Sequence, residues 1–240
     1  MRSEQLTAGG LIYGESARAS SRNVRQRLQA LEILSPFPEG LAADLGCGQG
    51  AYTIELARRF DRVVGVDILA QNIAYARTNL RGNVEFRCAP LEDIPLETDT
   101  LDAAFLIEVL DHVSDVDQCL AELRRVLKPG GKAYISVPNA LFPFEIHPVR
   151  VFGRFFHPRF FPFLNWFPFH DHVATARIFH RRRLCKLCES WGLKVVASDY
   201  MIAPLEYRLK SMRPLISAIG RTFLKPLISV SIVLALEKKT

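Results

Sequence analysis

The chain has 240 residues, 49% of them hydrophobic and 23% charged, and a formal net charge of +6 at pH 7 with histidine neutral. That apolar content can bury one substantial core, the length fits a single α/β unit with insertions, and the positive balance favours anionic partners without naming any. Five cysteines form no even framework and Met1–Gly10 has no apolar core, which argues against a disulfide scaffold and a secretory signal and leads us to expect a reducing, cytoplasmic setting.

Within residues 15–34, Val24, Leu28, Leu31 and Leu34 recur at helical spacing, and arginines 18, 22, 25 and 27 decorate the same segment. A helix with one apolar face is expected there, stopped by Pro36 and Pro38. The next stretch, Leu41–Gly50, reads LAADLGCGQG: an apolar run holding Asp44, then Gly46, Gly48 and Gly50 at every second position. A helix over Tyr52–Phe60 and a second apolar run, VVGVD, ending at Asp67, complete a strand–helix–strand unit with two buried parallel strands. Glycines at a strand-to-helix turn let a ligand lie on bare backbone and aim helix N–H groups at it. An acid at the tip of the next strand, about 20 residues on, is placed to hold two ribose hydroxyls. This is a nucleoside site. A dinucleotide site prefers G-x-G-x-x-G, but Ala51 holds the third glycine's place, and no Walker lysine follows to cradle a triphosphate.

A helix is then expected over Ala70–Leu80, a strand over Val84–Cys88 and another over Ala103–Ile107 leading into Glu108. A helix around Val116–Leu127 and a turn at Pro129-Gly130-Gly131 precede a strand at Lys132–Val137. Alternating strands and helices imply right-handed crossovers and a doubly wound sheet. Residues 140–172 are rich in phenylalanine and hold five prolines, so regular structure is not expected there. The rings must be buried in the domain's own core, an apolar substrate, a partner chain or a membrane surface, and Arg150, Arg154 and Arg159 suit the last. Cys185 and Cys188 form a C-x-x-C inside the amphipathic run RRRLCKLCESWG and read as core thiols, with no second pair to make a zinc site. Leu205–Leu224 mixes basic and apolar residues as a membrane-surface helix does, although Pro214 interrupts it and interior packing or a homodimer face explains the pattern as well. Ser229–Leu236 is too short to span a bilayer.

DLGCGQG, VVGVD, FRCAPLEDIPL (Phe86–Leu96), LDAAFLIEVLDHV (Leu101–Val113) and LRRVLKPGGKAYISVPN (Leu123–Asn139) stand in the order found in the class I S-adenosylmethionine-dependent methyltransferases, which the chain resembles over residues 38–139. The resemblance implies an α/β fold with a doubly wound, seven-stranded, mostly parallel sheet and an aromatic insertion after strand five. It adds a helix at Arg181–Ser190, a strand at Leu193–Tyr200 and a final strand at Ser229–Leu236 that inserts antiparallel. One domain over 1–240 is expected, with cap helices in 1–38, a cofactor core in 39–139, a substrate-covering insertion in 140–180 and the remainder in 181–240.

The implied cofactor is S-adenosylmethionine. Asp44, Gly46, Cys47 and Gly48 are expected to border its methionine part, Asp67 to take the ribose hydroxyls, and Ile68 to pack on adenine. Leu91 and Glu92 are the remaining adenine candidates, because Pro90 stands where relatives often have an aspartate; Ile107 and Glu108 close the site. His112 and His172 are the candidate general bases, since an imidazole with a pKa near 6.5 suits proton removal at neutral pH. Tyr13, Arg18, His147 and His170 are candidate substrate contacts. No metal is expected, because His170, Asp171 and His172 lack a fourth ligand at clear spacing. IEVLDHV resembles the small-molecule branch, including ubiquinone-pathway O-methyltransferases. It lacks the N/D-P-P-Y/F of base-amino methyltransferases, and no base-stacking site is legible, so no nucleic-acid partner is expected. The expected reaction is O-methylation of a small, apolar or lipid-linked acceptor. A sugar or other secondary metabolite, and a non-catalytic cofactor-binding partner subunit, are the alternatives.

Overall fold

The computed structural model describes residues 22–78, 82–144, 149–151, 154–156, 175–202 and 218–240. Tyr13, Arg18, His147, His170 and His172 lie outside them, as does most of Leu205–Leu224.

The first helix, α1 (Arg22–Leu34), buries Val24, Leu28 and Leu31, three members of the stripe read from the sequence. Five parallel strands follow: β1 (Leu41–Leu45), β2 (Arg62–Asp67), β3 (Val84–Cys88), β4 (Leu101–Ile107) and β5 (Leu127–Pro138). Their crossovers carry α2 (Ala51–Leu56), α3 (Ala70–Arg77) and α4 (Val116–Val126). After the insertion come α5 (Arg181–Ser190), β8 (Leu193–Ile202), the short α6 (Lys225–Ile228) and β9 (Ser229–Lys238). The sheet order is β3-β2-β1-β4-β5-β9-β8, with β9 antiparallel to both of its neighbours. Strands buried on both faces appear in the sequence as unbroken apolar runs, which is why β1, β2 and β4 were legible.

One layer of core lies beneath α1 and α2, where Phe37, Phe105 and Tyr134 meet with ring centroids 4.8–5.0 Å apart. The Tyr134 hydroxyl donates to the Pro36 carbonyl at 2.8 Å, anchoring the turn between α1 and β1. The larger layer packs α4 and α5 on the opposite face and absorbs Cys188 completely, with Cys185 beside it. Each fully buried aliphatic side chain contributes roughly 1.5–3 kcal/mol.

Three expectations need correction. Helix α2 ends at Leu56, with Arg58 and Arg59 closing onto Glu55 and Leu56 through i→i+3 bonds. β5 starts at Leu127 and not Lys132: Leu101 pairs with Leu127, Ala103 pairs with Lys132, and Pro129-Gly130-Gly131 bulges out between the two pairings. Residues 140–172 are not wholly irregular, since β6 (Val149–Val151) and β7 (Arg154–Phe156) form an antiparallel ribbon.

The chain just after β5 and the chain just before α5 meet at the carboxyl edge of the sheet. Phe179 N–H donates to Pro138 and Ala140 N–H to Phe179, at 3.0 and 2.9 Å. The Asn139 amide holds the carbonyls of Pro226 and Ser229 at 2.7 and 2.8 Å, tying this junction to the start of β9.

Candidate active site

The chain leaves β1 through a left-handed turn. Gly46 has φ 80°, and a β-carbon there would stand 2.5 Å from both methyls of Val109, so side-chain bulk is excluded twice over. The N–H groups of Gly46 and Cys47 both donate to the Val66 carbonyl, at 2.7 and 2.9 Å, fastening the turn to the end of β2.

Asp67 ends β2 and organises what lies around it. Its Oδ2 accepts the Gly48 N–H at 2.8 Å, and its Oδ1 accepts the Leu69 N–H at 2.9 Å and the Asn72 amide at 3.2 Å. A carboxylate offers about four lone-pair sites, so these three bonds leave capacity for one more donor. Ile68, the next residue, is 41% exposed. A large apolar side chain left open beside a buried acid and a bare glycine turn matches the needs of a nucleoside: a flat ring on one side, hydroxyls on the other.

Beneath the turn, Thr53 on α2 donates its hydroxyl to Asp44 at 2.6 Å with both residues buried. Burial pushes the Asp44 carboxyl up to about 7, and Asp67 adds to the effect while the Thr53 hydrogen bonds oppose it. Cys47 is buried as well, which raises its thiol well above the ordinary range and removes it as a nucleophile.

The exit of β4 supplies the other wall. Ile107 is buried, and Glu108 takes φ 55°, a left-handed conformation that costs a non-glycine residue about 1–3 kcal/mol unless its surroundings fix it. Its N–H donates to Ser136 at 2.9 Å, and its Oε1 accepts Ser136 Oγ at 2.9 Å, Ser231 Oγ at 2.8 Å and the Arg27 guanidinium. Burial works against the Arg27 charge, but Glu108 more than offsets it and holds the guanidinium above its ordinary pKa. Tyr52, just past the glycine turn, lies in the same field; burial raises its phenol pKa, opposed by Arg27 and reinforced by Glu108.

Three residues further on, Asp111 Oδ2 and His112 Nε2 stand 3.1 Å apart, with the Asp111 side chain fully buried. Arg177, on the irregular segment ahead of α5, clamps this loop: its N–H donates to the Asp111 carbonyl at 3.0 Å and its guanidinium to the carbonyls of Val113 and Ser114. Asp115 then caps α4 by accepting the Gln118 N–H at 3.0 Å.

Two further sequence candidates, Leu91, whose backbone is the part expected to meet adenine, and Glu92, also serve the fold itself. Leu91 is buried in the α4–α5 layer of the core. The Glu92 carboxylate accepts the Ser114 and Asp115 N–H groups at 2.8 and 3.1 Å, bracing the turn after β3 against the start of α4. The fold therefore brings Asp44, Gly46, Cys47, Gly48, Asp67 and Ile68 together with Ile107, Glu108 and His112 along one sheet edge. Arg27, Tyr52, Asp111 and Arg177 were not read as site residues. The only advance signal was Arg27 falling within the buried stripe of Val24, Leu28 and Leu31. No group of three or more His, Cys, Asp or Glu able to hold a metal occurs among the described residues.

Residues 43–135 match the family described as "Methyltransferase domain". The human mitochondrial ubiquinone biosynthesis O-methyltransferase is 38% identical over 103 residues, 40% of this chain and 28% of that protein. The ubiquinone biosynthesis O-methyltransferase of Sinorhizobium fredii is 34% identical over 110 residues, 44% of each. O-methyltransferase cnsE of Penicillium expansum is 35% identical over 132 residues, 52% of this chain and 48% of that one. In each case the match spans less than half of the relative's length. Among solved structures, an S-adenosylmethionine-dependent methyltransferase from Mesorhizobium loti superposes with a TM-score of 0.62 at 20% identity, covering 88% of this chain and 96% of that one. One from Listeria monocytogenes gives 0.65 at 17%, covering 91% and 99%. The seven-stranded sheet and its glycine-lined carboxyl edge thus define a class I methyltransferase fold. Within it, residues 43–135 match a methyltransferase domain.

Proposed function

We propose that this protein methylates an oxygen on a small, apolar or lipid-linked acceptor, with His112 as the general base. The observation that carries the reading is the Asp111–His112 pair at the exit of β4, beside the turn that holds Gly46. The buried Asp111 carboxylate, 3.1 Å from His112 Nε2, stabilises the imidazolium that forms when His112 takes the acceptor's proton. The O-methyltransferase names of the relatives support oxygen as the acceptor atom.

When bound, S-adenosylmethionine, the methyl donor this reading assigns to the site, would supply a methyl group on a cationic sulfur, already activated for displacement. Gly46 and Gly48 would hold its methionine part against bare backbone, Asp67 would accept a ribose hydroxyl, and Ile68 would cover one face of the adenine. The chain's remaining task is alignment of the acceptor at about 3–3.5 Å from the methyl, and proton removal. The aromatic insertion between Asn139 and Phe179 is the reason for an apolar acceptor. We extend the same reading to peripheral membrane contact, a homodimer and a cytoplasmic location. No helix among the described residues is long and apolar enough to cross a membrane.

A second reading, a partner subunit that binds the cofactor without turning it over, is favoured by the turn after β3. Pro90 replaces a side chain that could grip the adenine amine, and Glu92 is engaged with Ser114 and Asp115. Titration calorimetry with S-adenosylmethionine and S-adenosylhomocysteine, followed by labelled methyl transfer to phenolic, quinol, lipid and sugar acceptors, separates the two. Micromolar binding with transfer to an apolar hydroxyl supports the enzyme. Binding without transfer to any acceptor favours the subunit.

A further inference from the structure

We propose that Arg27 is a positioning residue for the cofactor site, acting through Glu108 to press the β4 exit loop onto the glycine turn. The inference rests on the cofactor site described above and assigns a function to the N-terminal helix, beyond covering the sheet.

Arg27 sits on the inward face of α1, flanked by the buried Val24, Leu28 and Leu31. Its guanidinium bridges 81 residues of chain to Glu108 Oε1 and also reaches Ser136 Oγ at 3.1 Å. Ser136 and Ser231, both buried, complete the cluster from β5 and β9. Three separate elements thus converge on one carboxylate oxygen, and that carboxylate belongs to one of only two non-glycine residues with positive φ among those described. A backbone conformation of this kind persists where its surroundings over-determine it. The residue that follows is Val109, whose two methyls occupy the space a β-carbon on Gly46 would need. His112 N–H then bonds the Val109 carbonyl at 2.8 Å. Rotating Glu108 out of its left-handed state therefore carries Val109 off the glycine turn and displaces the Asp111–His112 pair in the same movement.

The other side of Arg27 lines a cleft of about 720 Å³ between α1 and the end of β8, together with Gln26, Tyr200 and Met201. A neutral side chain of similar length has room there, so Arg27→Met is expected to fold.

The test is calorimetric titration of the full chain with S-adenosylhomocysteine, paired with thermal unfolding. Arg27→Met is expected to weaken binding about tenfold, and Arg27→Lys, which keeps a cation, to recover part of the loss. Glu108→Gln should weaken binding to a similar degree, and the double variant no further than either single one, because the pair acts as a unit. Val24→Ala, on the same helix face, should lower the melting temperature and leave affinity unchanged, which a purely structural role for α1 does not predict. Binding by Arg27→Met within twofold of wild type overturns the proposal and leaves the cofactor site standing. Equal weakening by Val24→Ala also overturns it. Failure of the wild-type chain to bind overturns both.

Discussion

Thr53 donates its hydroxyl to Asp44 across 2.6 Å, directly beneath the glycine turn and out of reach of water. Burial holds the Asp44 carboxyl near 7 against a usual value of 3.8, so the folded chain keeps a proton there that the unfolded chain gives up. Below pH 3.8 both states are protonated and the group contributes no pH dependence. Between 3.8 and 7 the folded state binds more protons, so stability falls as pH rises, by at most about 1.4 kcal/mol per pH unit, and levels off above 7. Melting curves from pH 4.5 to 7.5 should show this slope in the wild type and lose it in Asp44→Asn. A cationic ligand nearby favours the carboxylate, so affinity for S-adenosylmethionine should rise from pH 5.5 to 7.5. Calorimetry in buffers of different ionisation enthalpy should detect the released proton.

Asp67→Ala removes more than a ribose contact. Its carboxylate also receives the Gly48 and Leu69 N–H groups, so their loss should cost stability, on the order of 1–3 kcal/mol, besides abolishing measurable S-adenosylhomocysteine binding. Denaturant melts and calorimetry on the same preparation check the two effects. Unchanged affinity would remove Asp67 from the ribose role.

His112→Ala should lower turnover on any accepted substrate by about 10²–10⁴-fold while S-adenosylhomocysteine affinity stays within a few-fold of wild type. Steady-state kinetics across pH 5.5–9 is the measurement, and the acidic limb of the wild-type profile should vanish in the variant. Equal activity would return His112 to a structural role.

Phe223, 89% exposed beside the exposed Arg221 and ahead of α6, is the described residue best placed to insert into a lipid surface. Phe223→Ser should reduce co-sedimentation with phosphatidylglycerol vesicles several-fold and leave the melting temperature unaltered. Equal sedimentation of wild type and variant would remove this surface from the membrane reading.

The parts of this molecule that local pattern dictates were legible beforehand. Buried strands declared themselves as unbroken apolar runs, and the turn at Gly46 as a spacing only glycine tolerates. Asp67 stood out as a lone acid closing such a run. What escaped was long-range pairing. Nothing in the order of residues says that Arg27 meets Glu108, or that Ser136 and Ser231, ordinary strand serines on paired strands, supply hydroxyls to the same oxygen. Glu92 has a role of the same long-range kind that its run does not reveal: its carboxylate accepts N–H groups left open ahead of α4. Pro129-Gly130-Gly131 reads as the turn into a strand because proline and glycine usually mark turns, yet Leu127 ahead of it already pairs with Leu101.

The place of β9 carries a consequence for synthesis. Among the described residues β8 has β9 as its sole neighbour in the sheet, and β9 is made later, after some 26 intervening residues. While the chain emerges from the ribosome, β5 keeps one open side and β8 waits with no ladder at all. The far half of the sheet can close only when β9 slides between them, so the nascent domain passes through a stage with two unpaired strand rims, and that interval is when a chaperone would be most useful to it.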